Sequence, residues 1–577
     1  MRIGRLQTCF LAGLLIALGL VTAAPSLGAP AKRAPLTQTG PDGLTRALAR
    51  GELTPAEYAL ERADSLFHPL RVAARYGPLS RPNPRDATLI LRDLALRVRY
   101  LDSPADQARA AAILARPTEN PNPDDADNTY GATAEATPLC GANVCIHYVT
   151  SGTHAVDPTD GGDAGTTPDY VDAALNVFQN DVWAQEVTGL GYRPPKSDIS
   201  SDNNGSSSAD ATGGKFDVYL ADTGDENLYG YCTTDDPNFA QGNPENYQFF
   251  DASAYCVVDN DFAASQFPAL TPLENLQVTA AHEFFHAVQF AYDAGDDQWF
   301  MESTATWMED EVYTDVNDNL QYLPDGPLRK PLVPLDKGAT NSDPCCHVYG
   351  DWIFFRYLTE KYSPGLVKTI WKNADASEDT DGPGGPDGVG RDDFSVQAVS
   401  RALSHKGGFR SRFAEFGWRN RIARLTYGEG AANAYPQSPL TSSANTLSRN
   451  NRQKSKSVHL KHQTNAYFEF KRGSGLSSTA KLTLVLNLPA KSTGAAASVL
   501  VFMKNGTVSP FTLGITSAGD GAFKVPFGST VSKVDVVLTN ASTRYKGSTC
   551  FSFNTPYSCG GAKALDDGLA YKVTAKV

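Results

Sequence analysis

Thr271-Pro272-Leu273-Glu274-Asn275-Leu276-Gln277-Val278-Thr279-Ala280-Ala281-His282-Glu283-Phe284-Phe285-His286 is the stretch on which the reading of the chain turns. Thr271 and Glu274 form a capping box with Pro272 at the first helical position, and Leu276, Val278, Ala280, Phe284 and Val288 continue as helix-compatible apolar positions. The two histidines therefore lie within a helix. Positions four apart project from one helix face about a turn apart, so His282 and His286 can converge on one ion at the ~2.0–2.1 Å of zinc–nitrogen bonding. Glu283, one position further round, stands beside such an ion and can accept a proton from metal-bound water.

A catalytic zinc normally takes three protein ligands and keeps one position open. Sixteen residues after His286 stands Glu302, in Gln298-Trp299-Phe300-Met301-Glu302-Ser303-Thr304-Ala305-Thr306-Trp307-Met308-Glu309. Asp293-Ala294-Gly295-Asp296-Asp297 is a turn-like break that lets this second helix fold back on the first, with Trp299 and Trp307 packing either side of Glu302. Competing carboxylates are Asp293 and Asp297, which read as solvated loop, and Glu309, which reads as a helix surface charge.

The pairing of His282-Glu283-Phe284-Phe285-His286 with Trp299-Phe300-Met301-Glu302 resembles the glutamate-zincin (gluzincin) metallopeptidases, in which a second helix donates a glutamate to the metal of a His-Glu-x-x-His helix. More closely, "HEFFHAVQFAYD" with "WFMESTATWMED" is similar to a family of secreted bacterial metalloproteases with an N-terminal helical region and a β-rich C-terminal extension. The resemblance implies zinc held by His282, His286 and Glu302, peptide-bond hydrolysis with Glu283 as catalytic base, and export. Thermolysin-like members carry an aspartate four residues after the ligand glutamate to hold a histidine; here that position is Thr306. Such enzymes also use a tyrosine or histidine to stabilise the oxyanion, for which Tyr349 and His347 are the candidates.

The remaining composition agrees with an exported globular chain. Of 577 residues, 41% are hydrophobic and 20% charged, enough for packed cores and too many residues for one of them. Residues 1–30 read as a signal peptide: Arg2 and Arg5, the apolar run Phe10 to Leu20, then Ala23 and Ala24. That run is shorter than a membrane span, so no stable membrane insertion is expected after cleavage. Cys9 leaves with the leader, and eight cysteines remain. Cys140–Cys145, Cys232–Cys256 and Cys550–Cys559 are natural local disulfide pairs, and the pairing of the adjacent Cys345 and Cys346 is open. A net charge of −13 makes nucleic acid an improbable partner.

The expected fold class is α+β: a zincin-like metalloprotease domain over 131–450, preceded at 31–130 by a helical region and linker, and followed at 451–577 by a β-sandwich domain. In the helical region, Thr54-Pro55-Ala56-Glu57 opens one helix and Asp86 to Tyr100 forms another; residues 36–118 hold twelve arginines, no lysine and nine acids. This region is either a propeptide that assists folding or blocks the cleft, or a permanent domain. Phe216–Leu220 and Tyr255–Val258 read as strands of the middle unit. Asn465–Phe470, Leu482–Leu488, Ser498–Met503, Lys533–Leu538 and Ala570–Val577 read as strands of the tail, with Asn505-Gly506 as a turn. The tail could contact cell-surface glycan or serve as a spacer. Asp157, Asp160, Asp163 and Asp169 could bind Ca²⁺, although their spacing fits no EF-hand and a solvated loop is the favoured reading. The expected function is zinc-dependent hydrolysis of protein or peptide substrates. Its rivals are a metal-bound adhesion protein that cleaves little and a zinc hydrolase of cell-wall amides.

Overall fold

The capping box expected at Thr271 forms in full: its side chain accepts from Glu274 N while the Glu274 carboxylate accepts from Thr271 N. From it runs a 22-residue helix, Pro272–Asp293, entirely buried from Ala280 onward. The computed structural model describes residues 42–80, 83–119, 129–156, 169–197, 213–235, 252–338, 346–375, 393–546 and 563–577. The leader, Asp157, Asp160, Asp163, Cys345, Cys550 and Cys559 lie outside the described residues.

In chain order the amino-terminal part supplies α1 (Gly43–Ala49), α2 (Pro55–Phe67), α3 (Pro69–Tyr76), α4 (Ala87–Ala95) and α5 (Pro104–Leu114). The Thr54–Glu57 capping box is present on α2. The helix expected over Asp86–Tyr100 ends earlier, at Ala95, and resumes as a single 3₁₀ turn at Val98–Tyr100. All nine residues of α4 are buried. Leu89, Ile90, Leu91 and Leu94 belong to the same apolar cluster as the strands and helices of the middle unit. At about 1.5–3 kcal/mol for each fully buried aliphatic side chain, this packing ties α4 firmly to that unit.

The middle unit is built on a five-stranded mixed sheet: β1 (Leu139–Cys140), β2 (Val144–His147), β3 (Phe216–Ala221), β4 (Gly230–Thr233) and β5 (Tyr255–Asp259), in the spatial order β1-β2-β3-β5-β4. β2, β3 and β5 run parallel, whereas β4 pairs antiparallel with β5 and forms one edge. The central strands β2, β3 and β5 are buried along their length, as strands covered on both faces should be. α6 (Asp169–Leu175) continues into π-helical turns, Asn176–Val182, which pack beside the Pro272–Asp293 helix, α7. After a short turn comes α8 (Gln298–Val312), which lies against α7. Disulfides Cys140–Cys145 and Cys232–Cys256 link β1 to β2 and β4 to β5. Further helices are α9 (His347–Gly350), α10 (Trp352–Lys361), α11 (Gly365–Asn373), α12 (Val396–Ala402), α13 (Gly408–Arg421) and α14 (Ala423–Thr426), of which α9, α10 and α11 pack against the pair α7–α8.

The tail is two sheets enclosing one apolar cluster, with Phe468, Leu484, Val499, Val536 and Tyr571 at its centre. One sheet is ordered β11-β10-β13-β8-β6 and the other β12-β9-β14-β7. Their strands are β6 (Asn445–Leu447), β7 (Gln453–Leu460), β8 (Thr464–Arg472), β9 (Lys481–Asn487), β10 (Ala495–Met503), β11 (Val508–Leu513), β12 (Asp520–Pro526), β13 (Val531–Asn540) and β14 (Leu569–Lys576). Gly506, at φ +90°, turns the chain between β10 and β11, where an L side chain would be strained. The tail docks on α13 through Arg421 Nε to Asp535 Oδ2 at 2.8 Å and Tyr467 OH to Gly417 O at 2.7 Å. The whole is mixed α and β, compatible with α+β. Among the described residues no helix is long and apolar enough to cross a membrane.

Candidate metal centre

α7 and α8 bring His282, His286 and Glu302 together. The facing atoms form a nearly equilateral triangle: His282 Nε2 to His286 Nε2 3.2 Å, His282 Nε2 to Glu302 Oε2 3.2 Å, and His286 Nε2 to Glu302 Oε2 3.5 Å. None of the three side chains is exposed. Among the described residues they are the group whose ligand atoms lie close enough to hold a metal ion.

The hydrogen bonds behind the triangle determine what it presents. Gln289 Nε2 donates to Met301 O at 2.9 Å and to Thr304 Oγ1 at 3.1 Å, which leaves Gln289 Oε1 facing His286 Nδ1 at 2.7 Å. An amide oxygen only accepts, so His286 Nδ1 carries the hydrogen and the neutral ring has a bare lone pair at Nε2. His282 Nδ1 faces Glu309 Oε1 at 2.8 Å, which orients the second ring in the same way. Two imidazole lone pairs and a carboxylate oxygen then point at one spot, an arrangement that repels itself unless a cation or a proton lies between them.

In the protein without an ion, a proton fills that role. Burial disfavours charge on His282, but its hydrogen bonds with Glu302 and Glu309 outweigh burial and lift its pKa to about 9. Burial likewise works against the Glu302 carboxylate, and its contacts with His282 and His286 hold it down at about 2. Further carboxylates crowd the same interior: Glu283, Glu309 and Asp86 are all buried, and Arg85 is the buried guanidinium among them. Burial, then the nearby Glu302 carboxylate, raise Asp86 to about 7. Glu302 Oε1 and Glu283 Oε1 are buried with no hydrogen-bond partner. Surplus negative charge, bare lone pairs and orphaned oxygens are the environment a divalent cation relieves.

Glu283, on the turn of α7 that carries His282, accepts from Thr88 Oγ1 at 2.6 Å through Oε2. Thr306 Oγ1 donates to Glu302 O at 2.9 Å, within its own helix, so it does not replace the aspartate of thermolysin-like sites. That work falls to Glu309, and the expectation of a surface charge there is corrected: it is 2% exposed, bonded to His282, and paired with Arg85. Glu302 and Glu309 are seven residues apart, two helical turns, so both reach the α7 histidines from one face of α8. Asp293 is buried too, its Oδ1 accepting from Gly295 N at 2.6 Å to shape the turn, and Asp297 is the N-cap residue of α8. Neither joins the triangle.

Of the two oxyanion candidates, His347 has both ring nitrogens 2.9 Å from backbone carbonyls, of Asp325 and Pro334, and takes no part in the centre. Tyr349 lies beside it, its ring centroid 6.0 Å from that of His282, with its hydroxyl donating to Asp86 Oδ1 at 2.7 Å. The site also contains Gln289, Arg85, Asp86 and Thr88, which sequence reasoning does not single out. Gln289 has a local signal, falling three positions after His286 on the same helix; the other three come from nearly two hundred positions upstream. Asp169 opens α6, and the remainder of the Ca²⁺ loop, Asp157, Asp160 and Asp163, lies outside the described residues.

No protein-family profile and no curated protein matches the chain. Among solved structures, the pre-peptidase C-terminal domain of a collagenase from Bacillus anthracis aligns at 8% identity and a TM-score of 0.15, covering 24% of this chain and 97% of that one. The surface-associated copper-binding protein CorA of Methylomicrobium album BG8 aligns at 12% identity and a TM-score of 0.14, covering 23% and 96%. Likenesses this slight carry no argument about fold or activity, and the centre is read from its own geometry.

Proposed function

We propose that the chain is a secreted zinc-dependent peptidase in which His282, His286 and Glu302 hold the metal and Glu283 is the catalytic base. The observation that carries this is the triangle of 3.2, 3.2 and 3.5 Å edges. Ligands about 2.0–2.1 Å from a tetrahedral ion stand about 3.3–3.4 Å from one another. Two nitrogens and one carboxylate oxygen are a zinc donor set, and three ligands leave the fourth vertex for water.

A bound zinc supplies Lewis acidity, lowering the pKa of water at the open position toward ~7 and drawing charge from a substrate carbonyl. Glu283 would accept the proton of the attacking water as the C–O bond forms, and would deliver it to the departing amine nitrogen as the peptide C–N bond then breaks. Glu309 holds His282 in the tautomer that presents Nε2, and Gln289 does so for His286. The two disulfides support an oxidising compartment, in keeping with the leader-like first thirty residues.

The test is to purify the chain, measure bound zinc, and compare cleavage of casein, a peptide library and peptidoglycan with that of Glu283→Gln. Stoichiometric zinc with Glu283-dependent peptide cleavage is expected. Zinc without cleavage of any substrate, by the parent and also after the buried centre has been opened, would favour a metal-bound adhesion protein, and cleavage of peptidoglycan alone a cell-wall amidase.

A further inference from the structure

The stretch Asn83–Thr88, just ahead of and entering α4, closes over the metal centre through bonds to its working groups. Thr88 Oγ1 donates to Glu283 Oε2 at 2.6 Å. Asp86 Oδ1 accepts from Tyr349 OH at 2.7 Å. Arg85 pairs with Glu309, the carboxylate that holds His282, and through Nη2 with Asp318 Oδ2 at 2.7 Å. The same stretch also lies along the edge of the sheet. Pro84 O accepts from Tyr229 N at 3.3 Å, just before β4, and Thr88 Oγ1 accepts from Cys232 N at 2.8 Å, within it.

An edge strand's free N–H groups are where an extended peptide adds itself to a sheet. Here Cys232 N is already taken, and so are the Tyr349 hydroxyl and Oε2 of the carboxylate that would receive water's proton, which leaves it only Oε1. The metal-binding side chains and Glu283 beneath this stretch are at most 1% exposed, so a polypeptide substrate reaches the centre only when the stretch moves. Local geometry shows what this closure costs. Asp86 occupies the N-cap position of α4 yet makes no side-chain cap bond, because its carboxylate is turned to Tyr349 and to Asn83 N. An aspartate that forgoes its cap gives up the stabilisation that an N-cap bond brings to the helix.

We propose that Asn83–Thr88 is an inhibitory plug standing where substrate must lie, so that the folded chain is latent and becomes competent only when this stretch withdraws. The proposal rests on reading the site as a hydrolase. The polar anchors at Arg85, Asp86 and Thr88 can be released to water while Leu89 to Leu94 remain packed in the core, so withdrawal requires the turn before α4 to peel away and the first turn of α4, Ala87 and Thr88, to unwind with it.

If Arg85 and Thr88 instead positioned the catalytic groups, removing them would lower function; as a plug, their loss raises access. The experiment uses the full-length, metal-loaded chain and its Thr88→Val, Asp86→Asn and Arg85→Gln variants, with Thr88→Ser as the conservative control. Metal content is measured first, then affinity for acetohydroxamate, a small chelating ligand of the open metal position, and then cleavage of short fluorogenic peptides. The expected result is unchanged metal content in Thr88→Val and Asp86→Asn, hydroxamate affinity raised at least about tenfold in Thr88→Val, faster peptide cleavage, and parent-like behaviour of Thr88→Ser. Hydroxamate affinity that stays level or falls in variants that keep their metal would overturn the plug. Tighter hydroxamate binding with no peptide cut by any variant would uphold the plug and remove the peptidase reading. Should Arg85→Gln fail to fold, the nearly isosteric Thr88→Val and Asp86→Asn decide the matter.

Discussion

Glu309 Oε1 lies 2.8 Å from His282 Nδ1, and the guanidinium of Arg85, from the amino-terminal helical region, reaches the same oxygen. One carboxylate thus couples a metal-facing ring to an ion pair. Loss of an outer carboxylate of this kind costs about 10–100-fold in metal affinity. Glu309→Ala is expected to weaken zinc binding by about that factor, and Glu309→Gln, which keeps an acceptor oxygen, by less. Competition with a calibrated chelator measures both, and equal affinity in all three proteins would contradict the assignment.

Separating the base from the ligands gives a second expectation. Glu283→Gln should keep stoichiometric zinc while peptide cleavage falls by about 10²–10⁴-fold. Glu302→Gln should lose metal and activity together. Elemental analysis beside a peptide assay distinguishes the two patterns.

The metal-free centre also titrates in a defined direction. His282, with a pKa of about 9, must shed its proton for zinc to bind, so between pH 6 and pH 8 apparent affinity should climb about tenfold per pH unit. Stability of the metal-free protein runs the other way. The raised His282 contributes fully below its unfolded value near 6.5, and that contribution is lost as pH rises through about 9. The depressed Glu302 contributes above its unfolded value near 4.5, and that contribution is lost as pH falls toward about 2. Both contributions coexist from about pH 4.5 to 6.5, where the melting temperature of the chelated protein should peak with respect to this pair. A monotonic rise in that melting temperature from about pH 5 to about pH 9 would refute the pairing.

Gly350, next to Tyr349, sets a steric limit. A Cβ there would come within 2.5 Å of Gly326 N and 2.6 Å of Tyr322 O, both backbone atoms that cannot swing aside. Gly350→Ala should therefore destabilise by about 1–3 kcal/mol, the range for overpacking, and displace the Tyr349 ring. Chemical denaturation measures the first effect. A midpoint unchanged from the parent would show that the two segments can separate at no cost.

Local patterns disclose the elements that are governed locally. The capping boxes at Thr54 and Thr271, the alternating runs of β9 and β14 and the clustered β-formers of β8, β10 and β13 stand where periodicity and side-chain chemistry place them. The triangle is legible too, because spacing of four on one helix and a turn before the next largely determine which side chains can meet. Glu309 misleads because a carboxylate late in a helix is ordinarily solvated, and its burial depends on Arg85, which sequence separation hides. β4 is hidden for a similar reason. Gly230-Tyr231-Cys232-Thr233 is too short to show a pattern, and its pairing with β5 and its disulfide to Cys256 make it a strand. Thr88 carries no local mark at all; its contact with Glu283 spans 195 positions.

That span has a temporal meaning. Ribosomes deliver residue 88 long before residue 283, so the stopper already exists when the metal-gripping helices first come together. On the proposed reading, a hydrolase assembled in this order has its own plug at hand from the moment its metal centre forms.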